Sequence, residues 1–243
     1  MFILNRLGMI EGVETMRAQE ERMNQIANNL ANVDTTGYKK ENITFWEMLH
    51  RTEAKTMRVG KALKVLTGQE QGPAELTGNP LDVLIDGEGF FEVQTPQGVR
   101  YTRAGNFTTD STGQLVTQDG WPVLGDGGSI VIEGGEVTIG HRGEVVVDGE
   151  QVNRFRIVTF ADATALEKEG DTLFRLGEGG EGGVEAENFR IVQGSLEQSN
   201  VNTAIEMTEM IDLQRAFQAQ QKVVQAIDEI DGQAVNRVGK LTA

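Results

Sequence analysis

Cysteine is absent from the chain. That excludes a disulfide framework, a thiolate metal site and a cysteine nucleophile. Histidine is nearly as scarce. His50 and His141 stand alone, and no H-E-x-x-H, G-x-S-x-G or G-x-x-x-x-G-K-[ST] pattern accompanies them. Aromatics make up 6% of the residues, and the two tryptophans, Trp46 and Trp121, lie in an apolar cluster and at a Trp-Pro turn, a poor supply for a sugar-binding cleft. No apolar run approaches the roughly 18 residues of a membrane helix. Met1 to Leu4 is too short for a signal-peptide core and no small-residue cleavage pattern follows it, so the expectation is either cytoplasmic residence or exit without a cleaved signal. Basic residues are outnumbered, 22 Lys+Arg against 37 Asp+Glu for a net charge of −15, which argues against nucleic acid or an anionic membrane as partner. The expectations are therefore no enzyme activity, no cofactor, no bound metal, no nucleic acid and no membrane insertion.

Proline is missing from both ends, and there the pattern is helical. From Asn202 to Val238, apolar residues recur at Met210, Leu213, Phe217, Val224 and Ile227, with Gln220 in the remaining heptad slot and a second stripe at Ala216, Val223 and Ile230. Thr203 and Glu206 are spaced as a capping box, placing the helix start near Asn202. Near the N-terminus, Met9, Val13, Met16, Met23, Ala27 and Leu30 follow a 4-3 rhythm with Glu20 in the gap. Each seam is too narrow for a solitary buried helix, so the two ends are expected to pair as a coiled coil with the middle looped out. Two unrelated surface helices on one core are the other reading.

The centre holds 22 of the 30 glycines and is strongly acidic. Short apolar stretches separated by Gly or Asp-Gly breaks predict strands at Leu81–Ile85, Gly89–Val93, Val99–Thr102, Gln114–Thr117, Val123-Leu124, Ser129–Ile132, Glu136–Ile139, Glu144–Val147 and Arg154–Phe160. The fold class is thus a mainly β central domain between long N- and C-terminal α-helices. The expected divisions are residues 1–38 (helix and Asn-rich motif), 39–75 (connector), 76–198 (β-rich outer domain) and 199–243 (C-terminal helix). Residues 177–187 read as an acidic, Gly-rich loop. Gly125-Asp126-Gly127-Gly128-Ser129 lacks the lysine of a phosphate loop, and Asp86-Gly87-Glu88-Gly89 lacks calcium-loop spacing; both read as turns.

Several motifs carry a resemblance. Ala27-Asn28-Asn29-Leu30-Ala31-Asn32-Val33-Asp34-Thr35-Thr36-Gly37-Tyr38-Lys39 resembles the N-terminal signature of the bacterial flagellar rod and hook proteins. Ser195-Leu196-Glu197-Gln198-Ser199-Asn200-Val201-Asn202, leading into Met207-Thr208-Glu209-Met210-Ile211, resembles their C-terminal signature. Gly89-Phe90-Phe91 and Tyr101-Thr102-Arg103-Ala104-Gly105-Asn106-Phe107 resemble strands of the same subunits. The chain is on this ground identified as a member of the flagellar basal-body rod family. The resemblance implies a structural subunit that self-assembles through its terminal helices into the axial drive shaft. Its partners would be like and related rod subunits and the flagellar type III export apparatus. Its location would be the periplasmic portion of the basal body, reached without a cleaved signal peptide. Met9, Val13, Met16, Met23, Leu30, Met210, Leu213, Phe217, Val224 and Ile227 are the expected packing residues between subunits. Asn28, Asn29, Asn32, Thr36, Gly37 and Tyr38 form the family motif, expected where subunits meet. An extracytoplasmic β-rich carbohydrate-active enzyme, with acidic pairs such as Glu133 and Glu136 as its carboxylates, or a carbohydrate-binding module is the remaining alternative.

Overall fold

The computed structural model describes residues 2–51, 57–177 and 179–241. They form two compact units, one from Met1–Ala31, Glu41–Leu66 and Asn202–Ala243, the other from Asn32–Lys40 and Thr67–Val201.

The first unit contains both long helices, α1 (Phe2–Ala31) and α2 (Thr203–Leu241), and a two-stranded sheet of β1 (Glu41–Arg51) and β2 (Met57–Thr67). The stretch expected as a connector therefore supplies two 11-residue strands. The side chains of Phe45, Trp46, Met48 and Leu49 lie outside the described residues. The start of α2 differs from the capping-box reading. Asn202 is the cap, its side-chain oxygen accepting from the backbone N of Ala204 at 3.1 Å and of Ile205 at 3.2 Å. Glu206, one residue too late for a box with Asn202, turns inward and is 1% exposed. At the other boundary, α1 stops as the chain enters the Asn/Asp/Thr-rich stretch. The side chains there bond locally, as when Thr35 Oγ1 donates to Asn32 Oδ1 at 3.1 Å.

The second unit is β-rich and antiparallel throughout. Its six-stranded sheet runs Leu166–Glu169, Leu173–Leu176, β6 (Gly98–Thr102), β5 (Phe90–Thr95), Ile157–Thr159, Val184–Glu185. The pair within 166–176, the strand at Phe189–Gln193 and the strand at Ser195–Glu197 are not in the strand list read from the sequence. The acidic loop carries the two-residue edge strand Val184–Glu185. The beginning and end of this unit close on each other. β3 (Ala74–Leu76) pairs with Ser195–Glu197, and β4 (Val83–Gly87) pairs with Phe189–Gln193, with Glu197 opposite Ala74 and Gln193 opposite Val83. Asp148-Gly149 makes a tight hairpin turn with both φ positive, 49° and 90°, as an Asp-Gly pair between alternating strands predicts.

β5 organises the interior. Adjacent strand residues point to opposite faces, so Phe91 enters the main core with Phe107, Phe155, Val93 and Ile191. Phe90 enters a second, smaller core with Leu166 and Phe174. Phe91 stacks edge-on against Phe107 and Phe155 at centroid distances of 5.0 and 5.5 Å. Loss of either ring costs about 3–5 kcal/mol.

The same strand buries Glu92, whose side chain is 8% exposed and 3.4 Å from Arg156 Nε. Burial pushes its carboxyl above the usual carboxylate range, and Arg156 only partly offsets this. The folded state therefore holds this proton more tightly than the unfolded state, and the stability contributed by Glu92 falls as pH rises through that window. Glu92→Gln should match wild type in thermal melting at pH below the ordinary carboxylate range. Its advantage should grow as pH rises and level off above the raised value. A melting difference that is independent of pH would show that Glu92 carries no burial penalty.

Candidate functional site

Three of the quoted motifs meet inside the second unit, around Glu197. Lys39 Nζ lies 2.6 Å from Glu197 Oε1, and Arg103 Nη1 lies 3.4 Å from Glu197 Oε2. Gly72 N donates to Glu197 Oε1 at 3.1 Å, and Gly37 N donates to the Glu197 carbonyl at 2.7 Å. Lys39 Nζ and the two Nη groups of Arg103 also donate to backbone carbonyls, while Arg103 Nε is buried without a hydrogen-bond partner among the described residues. Lys39 Nζ reaches Glu70 O at 2.7 Å, and Arg103 reaches Ile85 O at 3.3 Å and Gly87 O at 2.9 Å. Lys39 and Glu197 are each 1% exposed and Arg103 is 6% exposed.

Burial pulls the Lys39 ammonium below the usual lysine range and Glu197 pulls it back, while Arg103 adds to the lowering. Burial likewise lowers the Arg103 guanidinium, again opposed by Glu197. One carboxylate thus serves two cations. Such a site stands only while complete, because removing one partner leaves a buried charge uncompensated, at about 3–5 kcal/mol.

Gly37 is part of the same arrangement. Its φ is 70°, and a Cβ there would lie 2.3 Å from Ala104 N and 2.5 Å from Arg103 C. α1 ends six residues earlier, so the need for glycine is a tertiary one: the backbone passes directly against the segment that carries Arg103. Tyr38 beside it is 1% exposed, with Lys168 Nζ 3.5 Å from its ring centroid.

Two asparagines perform related tasks, each within one unit. In the first unit Asn29, fully buried, pairs both ways with the Glu41 backbone: Nδ2 donates to Glu41 O and Oδ1 accepts from Glu41 N, each at 3.0 Å. Its Nδ2 also reaches Glu206 Oε2 at 3.3 Å. In the second unit Asn200 Oδ1 accepts from Lys40 N at 2.6 Å, and its Nδ2 donates to Glu70 O at 2.9 Å and Gly68 O at 3.1 Å. Of the other motif residues, Asn28 is exposed, and Asn32 and Thr36 are half-buried.

In the first unit α1 and α2 run antiparallel. Gly12 lies by Gln220 and Val224, Arg22 pairs with Glu209 at 3.3 Å, and Asn29 meets Glu206. On α2 the buried or half-buried positions include Glu206, Met210, Leu213, Phe217, Gln220, Val224 and Ile227, and also Thr203, Glu209 and Asp231. On α1 they include Met9, Gly12, Met16, Gln19, Met23, Ile26 and Leu30, and also Thr15, Ala18, Glu21, Gln25 and Asn29. Met9, Met16, Met23 and Leu30 thus fall on the shielded side, but Gly12 stands where Val13 was expected, and Val13 is 55% exposed. The physical reason is close approach: a Cβ on Gly12 would lie 3.0 Å from Gln220 Nε2 and 3.1 Å from Val224 Cγ2. Counting apolar residues treats Gly12 and Gln19 as gaps, and so shifts the phase.

Lys39, Arg103, Glu197, Asn200 and Glu206 were missed as site residues. A signal was present. Lys39, Arg103 and Glu197 each sit in a motif quoted for its resemblance.

A chain with long helices at both ends, a β-rich body between them and terminal motifs stitched together by buried polar groups belongs to the class of structural assembly subunits. The comparisons are specific. Residues 11–39 match the family described as flagella basal body rod protein. Residues 84–147 match the flagellar hook protein FlgE/F/G D1 domain. Residues 192–237 match the flagellar basal body rod FlgEFG protein C-terminal family. The chain is 37% identical to the flagellar basal-body rod protein FlgG of Bacillus subtilis, over 94% of this chain and 97% of that protein. It is 38% identical to FlgF of Caulobacter vibrioides, over 95% and 97%. It is 34% identical to FlgG of Borreliella burgdorferi, over 91% and 94%. The chain belongs to the flagellar basal-body rod protein family and is a structural rod subunit. Among the described residues no helix is long and apolar enough to cross a membrane.

Two outcomes are expected from this geometry. Lys39→Met should destabilise the second unit by about 3–5 kcal/mol, by leaving the cluster incomplete. Gly37→Ala should cost more than the roughly 1 kcal/mol of a simple glycine turn, because backbone rather than a flexible side chain occupies the Cβ position. Calorimetric unfolding of each variant reads both; a Gly37→Ala loss of 1 kcal/mol or less would return that residue to the role of an ordinary turn.

Proposed function

We propose that this subunit assembles with copies of itself and related rod proteins through a coiled coil of its terminal helices, and that the resulting axial rod transmits torque from motor to hook. The observation that carries this reading is the apolar surface left outward on both helices. Ile10 and Val13 on α1, and Ile205, Met207, Ile211, Val223 and Ile230 on α2, are each about half exposed. Helices that have already matched one face to each other and still present large aliphatic groups have a second face to cover. Val13 falls here, beside a groove lined also by Met16 and Phe217. Travel through the type III export apparatus, without signal cleavage, to the periplasmic part of the basal body completes the proposal, and no catalytic step is assigned.

Within the family the reading is the proximal rod protein FlgF, with the distal rod protein FlgG as alternative. Its support is length. The match to the Caulobacter FlgF extends over 243 aligned residues and that to the Bacillus FlgG over 261, for nearly the same share of this chain. The FlgG match therefore needs more gaps. A carbohydrate-active role for Glu133 and Glu136 has no supporting observation.

Phe217→Asp places a carboxylate on the shielded face of α2, a loss on the order of 2–4 kcal/mol for the first unit. The second unit should melt normally while purified basal bodies lose the subunit and cells lose motility. Motile cells carrying this variant would contradict the packing role. Asn29→Ala strips two backbone groups of Glu41 of their partner, about 1–3 kcal/mol each; Asn32→Ala should cost less. With both changed, protein should still appear in the medium but be depleted from basal bodies. A gold label inserted at Gly182 should mark the membrane-proximal end of purified rods if the subunit is FlgF-like and the hook-proximal end if it is FlgG-like.

A further inference from the structure

Glu197 is the last member of the buried cluster to be made. It follows Lys39 by 158 residues and Arg103 by 94. Among the described residues it is the only carboxylate in ion-pair contact with either cation; Glu70 and Glu88 act on them only at longer range. We propose that Glu197 is a completion latch: the second unit closes around its N-terminal motif only when the C-terminal motif has docked, so the fold checks that both ends of the β region are present before it locks.

The argument is one of sequence order and charge. A chain that has reached residue 190 already holds Lys39, Arg103 and nearly all of the main core. Closing that core would bury two cations against carbonyls alone, and an ammonium without a counter-ion is far costlier to bury than an apolar group. In water the two cations are solvated, so the open form is favoured. When Ser195–Glu197 pairs with β3, Glu197 Oε1 receives Lys39 Nζ and Gly72 N, Oε2 receives Arg103, and the Glu197 carbonyl receives Gly37 N. One residue thereby gives both buried cations a shared counter-charge, offsetting part of their positive charge, and fastens the N-terminal motif by its backbone. Gly72 shows how closely the closing segment fits: a Cβ there would lie 1.9 Å from Gln198 O. The latch is independent of which rod protein this is, because it rests on the second unit alone.

The test is pulsed hydrogen exchange during refolding of the full chain from denaturant. The probes are the amides of β5 and β6, which pair with neither Phe189–Gln193 nor Ser195–Glu197. In wild type they should become protected in the same kinetic phase as the 195–197 amides. In Glu197→Gln that phase should slow by at least about tenfold, since a nucleus contact is removed. Adding Lys39→Met and Arg103→Leu to Glu197→Gln should return it to within about threefold of wild type, because no buried charge then awaits compensation. Protection of β5 and β6 well before 195–197 in wild type would overturn the latch, and so would a Glu197→Gln chain that refolds at the wild-type rate. Should the variants fail to fold, the wild-type order of protection decides by itself.

Discussion

One carboxylate shared by two buried cations is the constraint on which the second unit depends. Glu197 lies on the strand that ends the β region, Lys39 on the segment that precedes it, and Arg103 just after β6. Hydrophobic burial around Phe91 and Phe155 supplies most of the driving force, but it is non-directional and does not by itself specify where the termini of a β-rich unit must lie. Charge does. A buried ion cluster is costly when any member is missing, so it ties the chain ends to one another while adding little net stability.

The first unit is specified differently. Two helices lie antiparallel with a residue that has no side chain, Gly12, at a point of contact, and each leaves aliphatic side chains outward. The fully buried Asn29 joins α1 to the backbone at the start of β1 and to Glu206 of α2. The carboxamide is well suited to this. It presents a donor and an acceptor side by side and so completes the hydrogen bonding of a single residue's backbone, as a neighbouring strand would. The motif's asparagines thus divide, Asn29 bonded within the subunit and Asn28 on its surface.

How far each feature was legible follows from the range of the interaction that sets it. The helical character of α2 was readable because its apolar positions from Met210 to Ile227 repeat at helical spacing on one element. The Asp148-Gly149 hairpin was readable because its positive φ angles are a local demand. The phase of α1 was not, since the contact of Gly12 depends on how near α2 comes, and apolar counting has no term for the absence of a side chain. Strands such as Ser195–Glu197 and Phe189–Gln193 went unread because they are short and mixed in polarity, and become strands by pairing with β3 and β4 more than a hundred residues earlier.

By itself the sequence determined the class: helices at both ends, an acidic β-rich centre, and motifs resembling those of rod subunits. Composition, periodicity and turn chemistry act over a few residues, and those are enough for the helical ends and many of the central strands. Only the tertiary structure decided what the motifs do. Lys39, Arg103 and Glu197 are distant in sequence and unremarkable singly. Their meaning is a sum of desolvation and Coulomb attraction that exists only once folding has brought them within hydrogen-bonding distance.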